Sequence, residues 1–187
     1  ITGYFAGSVD FGGGALTSAG NQDLYLARFN SSLTHTWSNR FGDAAGSQYG
    51  QGVDTDAAGN MYACGYFTGS INLGGSNLTS AGVNDLFVAK FNSAGVHQWS
   101  KHFGDANNQI ASKISAGAGG EVYVVGHFTG TVNFGGSPLT TAGAEDVFVV
   151  KFSTTGSHQW SQRYGDASSQ FGLSIDSDAT AVYLGGQ

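Results

Sequence analysis

The sequence predicts an all-β protein and, within that class, a β-propeller segment of three tandem repeats of about 61 residues, each a four-stranded antiparallel blade. Three observations predict it. Glycine fills 31 of 187 positions and charged residues only 11%, against about 7% and about 25% in an ordinary domain. Helix formers are scarce, with two glutamates (Glu121, Glu145) and one methionine (Met61), whereas aromatic residues reach 13%. The chain also repeats itself. Trp37, Trp99 and Trp160 stand 62 and 61 residues apart, and Gly65 to Gly104 matches Gly126 to Gly165 at 23 of 40 positions. A helical bundle is excluded by this composition, collagen by the lack of a three-residue glycine period, and disorder by a hydrophobic content of 40%.

The repeats run over residues 1–62, 63–123 and 124–187, with Ile1 at the position of Ala63, so the chain starts and ends within the second strand of a blade. After that partial strand come GYFAGSVDFGGGALTSAG and its copies GYFTGSINLGGSNLTSAG and GHFTGTVNFGGSPLTTAG, whose paired glycines read as a structured loop or small extra hairpin. The third strand follows as DLYLARFN, DLFVAKFN and DVFVVKFS. In the middle copy Leu86, Phe87, Val88, Ala89 and Phe91 make it almost wholly apolar, as expected of a strand covered on both faces. The fourth strand is THTWSNRF, VHQWSKHF or SHQWSQRY, joined to the third through a glycine turn such as Ser93-Ala94-Gly95. The first and second strands of the next blade, GQGVDTD and NMYACGYF, flank Ala57-Ala58-Gly59. Radial stacking of such units buries both faces of each sheet, whereas a β-solenoid has shorter turns and lacks this hairpin-by-hairpin turn chemistry.

The run from Gly65 to Trp99, with FTGSINLGGSNLTSAGVNDLFVAKFNSAGVHQW, recurs in the other two copies and resembles the secreted bacterial β-propeller repeats abbreviated SBBP. The resemblance spans the whole chain. It implies a propeller blade in an extracellular or cell-surface bacterial protein and brings no catalytic residues with it, because the family is defined by its fold repeat. Three copies are fewer than the family usually strings together. Closing a propeller takes about four to eight blades. The N-terminal part is expected to supply the outer two strands of one blade and the C-terminal part the inner two of another, with self-association or neighbouring blades completing the ring. The start at Ile1, without an initiator methionine, suggests a processed or excised segment.

A net charge of −6, with seven bases that never cluster, argues against nucleic acid as a partner. No apolar run approaches the ~20 residues of a membrane-spanning helix. Cys64 is the only cysteine, so no disulfide framework is expected.

Candidate site residues are weighed by whether they repeat. His35, His97 and His158 precede each tryptophan by two residues; equivalent positions of stacked sheets stand about 10 Å apart, too far for one zinc, so a structural role beside Trp37, Trp99 and Trp160 is expected. Asp23, Asp85 and Asp146 lie five residues before Arg28, Lys90 and Lys151, and Asp43, Asp105 and Asp166 follow each fourth strand; their recurrence predicts ion pairs and turn caps rather than a catalytic pair. Asp54 and Asp56 resemble part of a calcium loop, but position 65 is glycine where a carboxylate is required, and the next copy has Ser115 and Gly117. Cys64 aligns with Thr2, Val125 and Gly185 and reads as buried filler. Phe11-Gly12-Gly13-Gly14 lacks the lysine and helix of a phosphate loop and reads as a tight turn. The copies differ at Tyr49, Ile110 and Phe171 and at Tyr66 and His127, where a ligand site could have diverged; variable core or rim packing is the preferred reading.

No metal or cofactor is expected, and no catalytic or ligand-binding residue is assigned. The function expected is that of a non-enzymatic extracellular binding or structural interaction scaffold for a protein or glycan ligand, the alternative being a carbohydrate-binding lectin. A polysaccharide hydrolase or lyase would need a once-only cluster of acid, base or metal ligand, whereas the polar features found here repeat.

Overall fold

The computed structural model describes residues 1–117 and 119–187, and every regular element among them is a β-strand. Sheet I joins β1 (Thr2–Phe5), β4 (Asp23–Phe29) and β5 (His35–Phe41) in that order. Sheet II has four antiparallel strands in the order β6 (Gln48–Thr55), β7 (Met61–Phe67), β10 (Asp85–Phe91), β11 (His97–Phe103). Sheet III repeats that order with β12 (Gln109–Ala116), β13 (Val122–Phe128), β16 (Asp146–Phe152) and β17 (His158–Tyr164). Sheet IV pairs β18 (Gly172–Ser177) with β19 (Val182–Gly186). The N-terminal part thus supplies three strands where two were expected, because Thr2–Phe5 is long enough to pair with Asp23–Leu26 residue for residue.

The glycine-rich segments between second and third strands fold as small hairpins: β2 (Ser8–Asp10) with β3 (Ala15–Thr17), β8 (Ser70–Ile71) with β9 (Leu78–Thr79), and β14 (Thr131–Val132) with β15 (Leu139–Thr140). Their paired glycines have a steric cause. The imidazoles of His35, His97 and His158 lie against Gly13, Gly75 and Gly136, where a Cβ would stand 2.2, 2.6 and 2.5 Å from the ring. Any larger residue there would have to displace the imidazole.

The four sheets pack face to face in chain order. In β10 the alternate residues Phe87, Ala89 and Phe91 meet Leu24 and Leu26 of sheet I, while Leu86 and Val88 meet Val122, Val124 and Phe148 of sheet III. That two-sided burial explains the unbroken apolar run, since a strand with one wet face alternates. A smaller cluster of Tyr123, Val125, Val149 and Ile175 joins sheets III and IV. No helix among the described residues is long and apolar enough to cross a membrane.

Both hairpins of each four-stranded sheet carry a β-bulge. In the outer hairpin the register shifts between Lys90 and Phe91 and between Lys151 and Phe152. In the inner one, Gly50 faces Gly65 and Gly52 faces Cys64, leaving Gln51 without a partner across the ladder. Ser112 is skipped in the same way in sheet III and Leu173 in sheet IV. A bulge bends its strand and re-aims one side chain. Here it does so at one position in three successive sheets.

Candidate functional site

The repeated polar residues are largely consumed by the fold. Asp43 caps the turn after β5 by accepting hydrogen bonds from the Ala45 and Gly46 amides at 3.0 and 2.8 Å, and the Ser70 hydroxyl donates to its other oxygen at 2.5 Å. Burial opposes its charge, but these hydrogen bonds outweigh that and hold the carboxyl below its usual range. Asp105 accepts from the Asn107 and Thr131 amides, both at 2.8 Å, and Asp166 from the Ser168 amide at 2.9 Å. Asp23, Asp85 and Asp146 are fully buried at the start of each third strand, and each accepts a backbone N–H, from Ala19, Ala81 and Ala142.

The ion pairs differ from the ladder expected. Asp23 pairs with Arg40 and Asp146 with Arg163, both on the fourth strand, while Arg28 donates to the Ser93 carbonyl. Lys90 instead approaches Asp56 at 4.0 Å and Lys151 approaches Glu121 at 3.7 Å, each ammonium lying 4.9 Å from a tyrosine ring centroid, Tyr62 or Tyr123. Strand geometry forbids the expected pairing. Residues five apart point to opposite faces and stand about 17 Å apart along the chain.

The tryptophans lock consecutive sheets together. Trp37 Nε1 donates to the Ser93 carbonyl at 3.2 Å and Trp99 Nε1 to the Thr154 carbonyl at 3.1 Å. The indole faces are covered by Gly95 and Gly156, where a Cβ would come within 3.0 and 3.1 Å of the ring. Trp160, with no such hairpin over it, is 38% exposed. Each histidine Nε2 lies 3.0–3.1 Å from a serine Oγ on its own strand, namely Ser38, Ser100 or Ser161. Asp56 holds its own turn, accepting from the Asn60 and Ala58 amides and the Tyr62 hydroxyl. Cys64 is fully buried, which pushes its thiol up to about 12, far from a nucleophile's range. Among the described residues no three His, Cys, Asp or Glu side chains converge as a metal site.

One groove is built differently. It is an open groove of about 520 Å³ across sheets II, III and IV, lined by Gln51, Tyr66, Asn84, Asn108, Ile110, Ser112, His127, Glu145 and Leu173. All three bulge residues belong to it. The parallel bridge Asn84↔Asn108 ties its sheets together, with the Gln109 amide donating to the Asn84 carbonyl at 2.8 Å and Asn84 Nδ2 to Asn108 Oδ1 at 2.7 Å.

The divergent positions meet at this groove. Tyr66 stacks on Tyr49 with ring centroids 4.6 Å apart, Tyr4 meets Tyr49 edge-on at 4.8 Å, and Phe171 meets His127 edge-on at 4.8 Å. Tyr49 and Phe171 stand outside the lining, packed against Tyr66 and His127, while Tyr66, Ile110 and His127 present surface to the groove. Burial lowers the His127 pKa against the opposing pull of Glu145, and its Nδ1 is buried without a hydrogen-bond partner. Burial, then the neighbouring tyrosines, raises that of Tyr66. His127 and Glu145 stand where the preceding copy has Tyr66 and Asn84, so this pairing occurs once. Sequence reasoning found Tyr66, Ile110 and His127 but missed the bulge residues, which share no chemistry. The Asn84/Glu145 exchange, visible on aligning the copies, is the signal that could have found the groove.

No protein-family model matches the chain, and no curated protein matches it significantly.

Proposed function

We infer that the chain is a segment of an extracellular β-propeller of the secreted bacterial repeat type, and that it works as a non-enzymatic scaffold binding its ligand in the groove of the bulged strands. The observation that carries this reading is a division of labour among the repeats. Capping aspartates, histidine–serine pairs and tryptophan locks recur with internal partners, whereas the groove positions vary between copies, as in Gln51/Ser112/Leu173 and Gln22/Asn84/Glu145. Residues freed from framework duty at one shared place are where recognition diverges without loss of the fold. Stacked four-stranded units with both faces covered support the propeller architecture. The exposed Trp160, Tyr164 and Leu184 mark a face that fits a further unit of the same kind, from this chain or a second copy.

The test pairs an array of glycans, peptides and proteins with a panel of polysaccharide substrates. Saturable binding to one ligand class with no product is the expected result. Product formation that disappears in His127→Ala or Glu145→Gln would replace the scaffold with an enzyme.

A further inference from the structure

We propose that the groove of the bulged strands takes a neutral saccharide, a pyranose ring held between its amides and its aromatic and aliphatic walls. This rests on the binding-scaffold reading and adds the ligand class. Glu145 is the sole formally charged residue among those lining the groove, so nothing there neutralises phosphate, sulfate or a carboxylate, and the carboxylate repels them. A purely apolar ligand is also disfavoured, because Gln51, the Ser112 hydroxyl and the polar atoms of Asn84 and Asn108 left over from their mutual hydrogen bond would be desolvated without compensation.

Amides and hydroxyls both donate and accept, as do the vicinal hydroxyls of a sugar. The half-buried Tyr66, Ile110 and the bulge residue Leu173 offer surface to the C–H face of a pyranose. The groove's volume of about 520 Å³ lies within the range of small-molecule sites, and its open side leaves room for more than one ring.

The test is titration of the ¹⁵N-labelled chain with methyl glycosides of glucose, galactose and mannose and with N-acetylglucosamine, with glucosamine and glucuronate as charged controls. Saturable shifts at the Gln51, Ser112 and Leu173 amides by a neutral sugar are expected, with a Kd in the millimolar range for a single ring. Ser112→Trp fills the groove from a position outside the strand ladder and should abolish the shifts while leaving the melting temperature unchanged. Tyr66→Ala should weaken binding at least about tenfold.

If no neutral sugar moves these amides, the saccharide assignment fails. Should an array peptide or protein move them instead, the scaffold reading stands and the sugar falls. Binding of glucosamine alone would mean recognition of a cation by Glu145 and would also overturn the proposal. Sugar-induced shifts that survive Ser112→Trp place binding elsewhere and refute the groove.

Discussion

Leu33 occupies the turn position held by Gly95 and Gly156 in the later copies, and it keeps their left-handed backbone, with φ 57° against 78° and 76°. A Cβ in that region crowds the backbone and costs about 1–2 kcal/mol, and Leu33 recovers little of it because its side chain is 83% exposed. Leu33→Gly should therefore stabilise the chain by about 1 kcal/mol, read as a higher denaturant midpoint at unchanged slope. Equal or lower stability would show that the leucine is held by contacts the turn geometry does not reveal. Acid should act through a different residue. Burial lowers the His127 pKa below the ordinary 6.5, so the folded state binds fewer protons there than the unfolded chain. Its share of stability is complete above about pH 6.5 and is lost as pH falls toward the folded value. His127→Phe should flatten the decline in melting temperature between about pH 7 and pH 5, and a parallel decline in both proteins would remove His127 from the account.

Between adjacent sheets the working unit is a tryptophan on one fourth strand and the glycine turn of the next outer hairpin. Trp99 is covered by Gly156 and bonded to Thr154, while Trp160 lacks both, so truncation should separate them. Trp99→Ala should cost about 3–5 kcal/mol and Trp160→Ala clearly less, measured by chemical denaturation. Equal costs would mean that the lock adds nothing to sheet packing. Much of this level is legible in the chain: the apolar run Leu86–Phe91, the glycine turns and the tryptophan period all report local demands of strand, turn and packing. Two features are not. Arg40 reaches Asp23 from seventeen residues away, across a hairpin whose strands are legible but whose register, shifted by a bulge between Arg28 and Phe29, is not. Gln51, Ser112 and Leu173 are bulged by the way their strands pair, and their side chains carry no common mark of it.

Across the whole chain, stability should be graded by how many neighbours a sheet has. Strands β7 and β10 of sheet II and β13 and β16 of sheet III lie between packed sheets, whereas β5 and β19 border fewer partners. Native-state hydrogen exchange should find the slowest amides in Tyr62–Cys64, Phe87–Ala89, Val122–Val125 and Phe148–Val150, with β18 and β19 exchanging faster. Uniform protection throughout would imply a single cooperative block instead of coupled layers. The three bulges give this layered molecule a further property. A residue outside the ladder can be exchanged without breaking a cross-strand pair or turning an apolar face outward, so mutation at Gln51, Ser112 and Leu173 is decoupled from folding. Natural variation, or a combinatorial library confined to those three codons, can search for new specificities while the scaffold stays fixed.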